Sequence, residues 1–354
     1  MPNRREFLTG LAAAGAATLV SGSSFSAQAP ARPYRLDVHH HFASPWWQRR
    51  NVETKRQGWE TVRDYSPAKA IEMMDRAGIQ TGFCSLTTPG LWFGDDFNIE
   101  REEAIRGARD MNDFAAKMMS DYKGRFGLFT VLPMPDIDAT LKEIAYGFDV
   151  LKADGAGFVS SYGRQWLGDK AFDPIWQELN RRNAVVYTHP TDSACCHNIE
   201  TWSGPGTIEW LTDTARSIHS IIAEGPNRAP SIATRYPNIK FIWSHAGGAL
   251  LGLVSRVVGG VSGEELAATP PMNSHLYHVR RFYYDTAGSA NPVLMGGLKR
   301  LLGDSSHILF GADLPFAGGG MTVVKELPSS GLTAEELRGV ERENALKILP
   351  KWRT

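Results

Sequence analysis

Eight short apolar runs of strand length alternate along the chain with longer stretches of helical period, and that alternation leaves few architectures open. The runs occupy 34–42 (YRLDVHHHF), 81–87, 125–133, 155–161, 184–190, 239–248, 281–287 and 307–316. Between them, at 66–78, 98–122, 136–155, 173–183, 207–222 and 291–304, apolar residues recur at helical spacing, and Ser, Asp or Asn opens several of the stretches. Eight such units predict an α/β fold, a (β/α)8 TIM barrel. An open doubly wound sheet is the other solution, but no glycine-rich dinucleotide loop follows the first run. Irregular and containing Gly, Pro and His, 259–280 reads as an insertion before the seventh strand.

Residues 1–29 stand outside this pattern. Arg4-Arg5 is followed by Phe7-Leu8, an Ala/Gly/Leu/Val run and the A-x-A-like Ala27-Gln28-Ala29, which reads as a twin-arginine-type signal peptide. Its apolar run is too short and too rich in Gly and Ser for a membrane anchor. The expected location is therefore the periplasm, with 30–354 forming one catalytic domain. Lys and Arg together number 38, as do Asp and Glu, and no basic stripe offers a surface to nucleic acid. Three cysteines make no disulfide framework: Cys84 lies in an apolar run and is expected in the core, while Cys195 and Cys196 are adjacent loop residues without an assigned role.

In a barrel of this kind, functional side chains sit where strands end. His39 and His41 close the first run, His189 the fifth, His245 the sixth and Asp313 the eighth. Strand alternation turns His39 and His41 to one face, with Asp37 behind them, and His40 to the other. One strand-end histidine is ordinarily a structural residue. Four strands ending in imidazole or carboxylate form a donor set suited to Zn²⁺ or a similar divalent ion with an open position. His40, His197, His219, His275, His278 and His307 are assigned structural roles.

D-x-H-x-H at the first strand, T-H-P at the fifth, S-H-A-G-G at the sixth and G-A-D-x-P-F at the eighth resemble the amidohydrolase superfamily. Within it they resemble the decarboxylase branch, the relatives of 2-amino-3-carboxymuconate-6-semialdehyde decarboxylase. Segment 151–191 looks most like the 6-methylsalicylate decarboxylase-like enzymes. The resemblance implies a barrel of metal-dependent hydrolase type. It implies His39, His41, His189 and Asp313 as ligands of one divalent metal ion, zinc or alternatively manganese. His245 would lie beside the metal, and His245 or Asp313 would move the proton. No lysine follows the fourth strand, which reads GFVSSYGRQW, and this departs from the binuclear hydrolases.

The implied reaction is non-oxidative decarboxylation of an aromatic hydroxy acid, of the 6-methylsalicylate or other hydroxybenzoate type. The alternative is hydrolysis of a lactone, ester or amide at the same mononuclear site. The expected partner is a small carboxylic acid, with no nucleic acid and no membrane anchor, and family relatives imply a homodimer or homotetramer. Trp46 and Trp47 are candidate walls for the ring. Arg164 is a candidate carboxylate partner, with Trp166 and the 88–96 loop as further candidate pocket residues. Asp285 is expected to hydrogen-bond a ligand or His245.

Overall fold

The computed structural model describes residues 34–54, 59–91, 99–193, 195, 205–225 and 230–353. The leader, Cys196, His197 and most of the 88–96 loop lie outside the described residues. Eight parallel strands follow one another around a single sheet: β1 (Arg35–His41), β2 (Ile79–Ser85), β3 (Phe126–Thr130), β4 (Gly155–Val159), β5 (Val185–His189), β6 (Lys240–Trp243), β7 (Tyr283–Asp285) and β8 (Ile308–Leu309). Beyond β8 the chain returns to β1 through a parallel bridge between His40 and Leu314. Val38 N–H donates to Phe310 O at 3.0 Å, and Asp313 N–H donates to His39 O at 2.9 Å. These bonds close the barrel.

The helices used below are α1 (Pro45–Thr54), α2 (Pro67–Arg76), α3 (Arg101–Asp121), α4 (Ile137–Ala145), α5 (Asp173–Arg181), α6 (Glu209–Ile222), α7 (Leu250–Val257), α8 (Pro292–Leu302) and α9 (Asn344–Ile348). Their starts follow local chemistry. Ser66 caps α2 through Lys69 N–H, Asp136 caps α4 through Ala139 N–H, and Asn291 caps α8 through Val293 and Leu294 N–H. Pro67 and Pro292 sit in the first turn, where a missing N–H costs nothing.

Several expectations are corrected here. The stretch 259–280 is not irregular: helices Gly263–Ala267 and His275–Arg281 fall within or begin in it, capped by Ser262 and Ser274. Helix 263–267 buries no side chain, so it has no apolar period to read. α7 lies outside the expected helical stretches: it is short, and its exposed polar residues are Ser255 and Arg256 in the last turn.

β1 does not alternate strictly. Asp37 pairs with Gly82 and His40 with Cys84, so three steps along β1 match two along β2: a β-bulge. Leu36 and Val38 consequently pack inside the barrel with Phe83, Phe129, Tyr187, Ile242 and Leu309. Past the bulge, His39 and His41 face the metal cluster. Asp37 is therefore not behind His39 and His41 on their face. It shares a side with His40, whose Nδ1 lies 3.3 Å from Asp37 Oδ2.

Two buried layers result. Between strands and helices lies the large core that includes Cys84, Phe126, Trp176, Phe241 and Trp243. Inside the foot of the barrel, the aromatic plug is completed by Ala345, Ile348 and Leu349 from the C-terminal segment. No helix among the described residues is long and apolar enough to cross a membrane.

Candidate metal centre and pocket

Four ring orientations define the mouth of the barrel. His39 Nδ1 lies 2.8 Å from Asp285 Oδ2, and His41 Nδ1 lies 3.2 Å from Ser85 O. His189 Nδ1 lies 2.8 Å from Pro190 O, and His245 Nδ1 lies 2.9 Å from Ala287 O. Carbonyls and carboxylates only accept, so each Nδ1 carries a proton, and a ring that is neutral presents its Nε2 lone pair.

Those lone pairs converge. The Nε2 atoms of His39 and His41 are 3.1 Å apart, and Asp313 Oδ1 lies 3.4 Å from the first and 3.3 Å from the second. With His189, the four ligand atoms all fall within 4.8 Å of one another. Acceptors facing one point repel one another unless a proton or a metal cation lies among them. Ligand bonds of 2.0–2.1 Å in a tetrahedron would put neighbouring ligand atoms about 3.3 Å apart, close to the spacings within the His39, His41 and Asp313 set. The residues fit one divalent ion.

Charge leads to the same conclusion. Burial lowers the pKa of His41, of His245 and, most strongly, of His189, the last also repelled by its neighbouring imidazoles. For His39 burial acts the same way, but Asp285 and Asp313 outweigh it and raise its pKa to about 10. Asp313 resists burial because His39 and His41 hold its carboxyl well below the usual range. Without metal the cluster thus retains a proton, the charge a divalent ion would replace.

Backbone geometry aims the remaining groups. His245 does not end a strand as expected: β6 stops at Trp243, and His245 opens a tight 3-10 turn through Gly247. His245 and Asp313 both adopt left-handed backbone, with φ of 53° and 57°. Such conformations are costly for non-glycine residues and concentrate at functional sites. Two glycines make the arrangement sterically feasible. A Cβ on Gly248 would lie 2.2 Å from Leu211 O, and one on Gly311 would lie 2.8 Å from Asp285 Cβ and 2.9 Å from His39 Cβ.

Asp285, at the end of β7, joins these parts. Its Oδ2 accepts from the His39 ring, and its Oδ1 accepts from the backbone N–H groups of His245 and Ala287. It orients the His39 ring through the side chain and His245 through the backbone.

Above the cluster opens a cavity of about 460 Å³. His189, His245 and Asp313 form its reactive side, Trp210, Leu211 and Phe316 supply apolar walls, and Thr87, Thr88, Gly206 and Gly288 complete the lining. Trp46 and Trp47 do not contribute to that lining and are corrected as ring walls. Trp47 is buried in the outer core, while Trp46 lies over Gly107 of α3, where any Cβ would clash with its ring. Both dock α1 onto the barrel's side. Arg164 is exposed at the tip of a two-stranded ribbon (Ser161–Tyr162 with Gln165–Trp166) and does not line the cavity either. Trp166 also points elsewhere, donating through Nε1 to Asp213.

Sequence reasoning passed over Trp210 because it sits on a helix whose apolar period already accounted for it. Phe316 belongs to the G-A-D-x-P-F motif itself, and that position was the available signal. Among the other histidines, His278 contacts Thr234 Oγ1, His275 and His307 donate to backbone carbonyls, and His219 packs against His275.

A family model described as amidohydrolase matches residues 36–351, and the chain belongs to that family. Its relatives place it in the decarboxylase branch. It is 32% identical over 335 residues to 6-methylsalicylic acid decarboxylase of Penicillium expansum, covering 90% of this chain and 96% of the relative. It is 31% identical over 334 residues to decarboxylase yanB of Aspergillus niger, covering 90% and 88%. Among solved structures, dihydroxybenzoic acid decarboxylase of Polaromonas sp. JS666, with bound manganese and 2-nitroresorcinol, superposes with a TM-score of 0.74 at 20% identity, covering 90% of this chain and 98% of that one.

Proposed function

We propose that this chain is a metal-dependent decarboxylase of aromatic hydroxy acids, acting on 6-methylsalicylate or a hydroxybenzoate of similar size. The observation that carries this reading is the acceptor cluster of His39, His41, His189 and Asp313 at a cavity walled by Trp210 and Phe316. The chain's relatives at 31–32% identity are decarboxylases. A divalent ion held by the cluster supplies positive charge for the acid's oxygens. Zinc suits three imidazoles and a carboxylate; the manganese of the Polaromonas enzyme makes manganese the alternative.

The chain's own residues supply the rest. Trp210 and Phe316 hold a planar ring by its faces and edges and keep water from it. His245 Nε2, with the Nδ1 proton fixed on Ala287 O, presents a lone pair to the cavity; after taking up a proton from solvent it is the position from which that proton passes to the ring carbon that bears the carboxylate. That carbon gains the proton, its bond to the carboxylate breaks, and carbon dioxide leaves. Asp313, also facing the cavity, is the second group able to hold the proton. The end of β4 carries Ser160 and Ser161 where a second metal would call for a bridging lysine, which supports a mononuclear site. The Arg-Arg leader supports export to the periplasm.

The test is metal content together with carbon dioxide release from a panel of hydroxybenzoic acids. One ion per chain, with release abolished by chelation and restored by zinc or manganese, is expected. A metal-loaded protein that releases no carbon dioxide from the panel but hydrolyses a lactone, ester or amide would overturn the proposal.

A further inference from the structure

Asp213 is fully buried on α6, away from the cavity lining, yet it gathers three donors from the end of β4 and the ribbon beyond it. Its Oδ2 accepts from Ser160 Oγ at 2.5 Å and Ser161 Oγ at 2.8 Å, and its Oδ1 accepts from Trp166 Nε1 at 2.7 Å. Arg216 Nη1 stands further off, at 3.9 Å. A buried carboxylate is expensive unless hydrogen-bonded, and here neutral donors from neighbouring elements satisfy it.

The two serines differ in what lies behind them. Ser160 gives its only hydroxyl hydrogen to Asp213, so its lone pairs face outward, and one accepts Thr191 N–H at 3.1 Å. Ser160 N–H donates to His189 O at 2.8 Å. One residue thereby clamps the segment His189-Pro190-Thr191 at both ends, and the Pro190 carbonyl between them accepts from the His189 ring. Thr191 Oγ1 then lies 2.9 Å from Thr88 Oγ1 in the cavity wall. On the helix side, Trp210 stands three residues before Asp213, one turn away on the same helix face.

We infer that Asp213 is a positioning residue: through Ser160 it sets the orientation of His189, and through α6 it registers the Trp210 wall against that ligand. An amide at position 213 would keep the shape but present N–H to one of these donors, which releases the clamp. The inference rests on His189 being a metal ligand.

The experiment loads wild type, Asp213→Asn, Ser160→Ala and Ser161→Ala with Co²⁺, then records the visible spectrum and competition with a chelator. Asp213→Asn and Ser160→Ala are expected to shift the cobalt bands and to weaken retention on the order of tenfold, as for other residues that orient metal ligands. Ser161→Ala, which touches Asp213 but not the His189 segment, is expected to keep the wild-type spectrum whatever its melting temperature. Wild-type spectra and retention in Ser160→Ala and Asp213→Asn would overturn the inference, as would equal perturbation by Ser161→Ala. Should Asp213→Asn fail to fold, the two serine variants decide alone. A wild-type protein that takes up no cobalt would instead overturn the metal reading beneath it.

Discussion

The foot and the mouth of the barrel are similarly shielded from water and opposite in chemistry. At the foot, Phe83, Phe129 and Tyr187 stack in sequence, with ring centroids 5.7 and 5.3 Å apart, and Trp352 meets Phe83 edge-on. Such contacts need nothing from outside the chain. At the mouth, His39, His41, His189 and Asp313 direct polar atoms at one another, a group that could hold a metal ion. Tyr187 borders both regions, its ring 5.5 Å from that of His39. The lower half is held by apolar contact, and the upper half gathers polar groups that its neighbours orient. Metals and substrates are bound where folding leaves chemistry unsatisfied.

The largest expected effect tests the mouth. On the proposed mechanism, His245→Ala should lower turnover by about 10²–10⁴-fold with metal content unchanged, because that mechanism gives the ring a proton to carry and no metal to bind. Carbon dioxide assays beside metal analysis check this, and an active variant would assign the proton elsewhere. Next comes the foot. Phe129→Ala should cost about 3–5 kcal/mol of stability, read by denaturant unfolding, with metal content and turnover per folded molecule unchanged. Loss of metal in that variant would show that the two regions are not separable. Smallest of all, Arg164→Ala, outside both regions, should alter kcat/KM by less than about twofold, since an exposed arginine at a ribbon tip has little to lose. A large rise in KM would return Arg164 to the pocket.

Much of this division was legible in the sequence. Every barrel strand falls within or near its expected run because strands buried on both faces read as continuous apolar segments. His39, His41 and His189 were visible because barrel topology converts position at a strand end into position in space, whereas Asp313 lies four residues past the end of β8, on the stretch that returns to β1. What escaped has physical causes. Trp46 and Trp47 follow the ligand pair in sequence, but α1 carries them away from the mouth, and adjacency in a chain is not adjacency in space. His245 depends on a left-handed turn that no apolar pattern announces. Asp213 lies mid-helix, where an acidic residue ordinarily signals a solvated face. Its three donors come from residues about fifty positions away.

The bulge in β1 sets which histidines turn to the mouth. Below it the inward residues are Leu36 and Val38, and above it they are His39 and His41. Unbroken alternation from Val38 would turn His40 inward and the other two outward. The strand works as two reading frames joined at a single extra residue, one spelling a hydrophobic plug and the other a pair of ligands. Deleting His39 would restore plain alternation, with Leu36 and Val38 still inward, and leave His41 as one inward imidazole in place of two. That one residue is the difference between a strand that turns two imidazoles to the mouth and a strand that turns one.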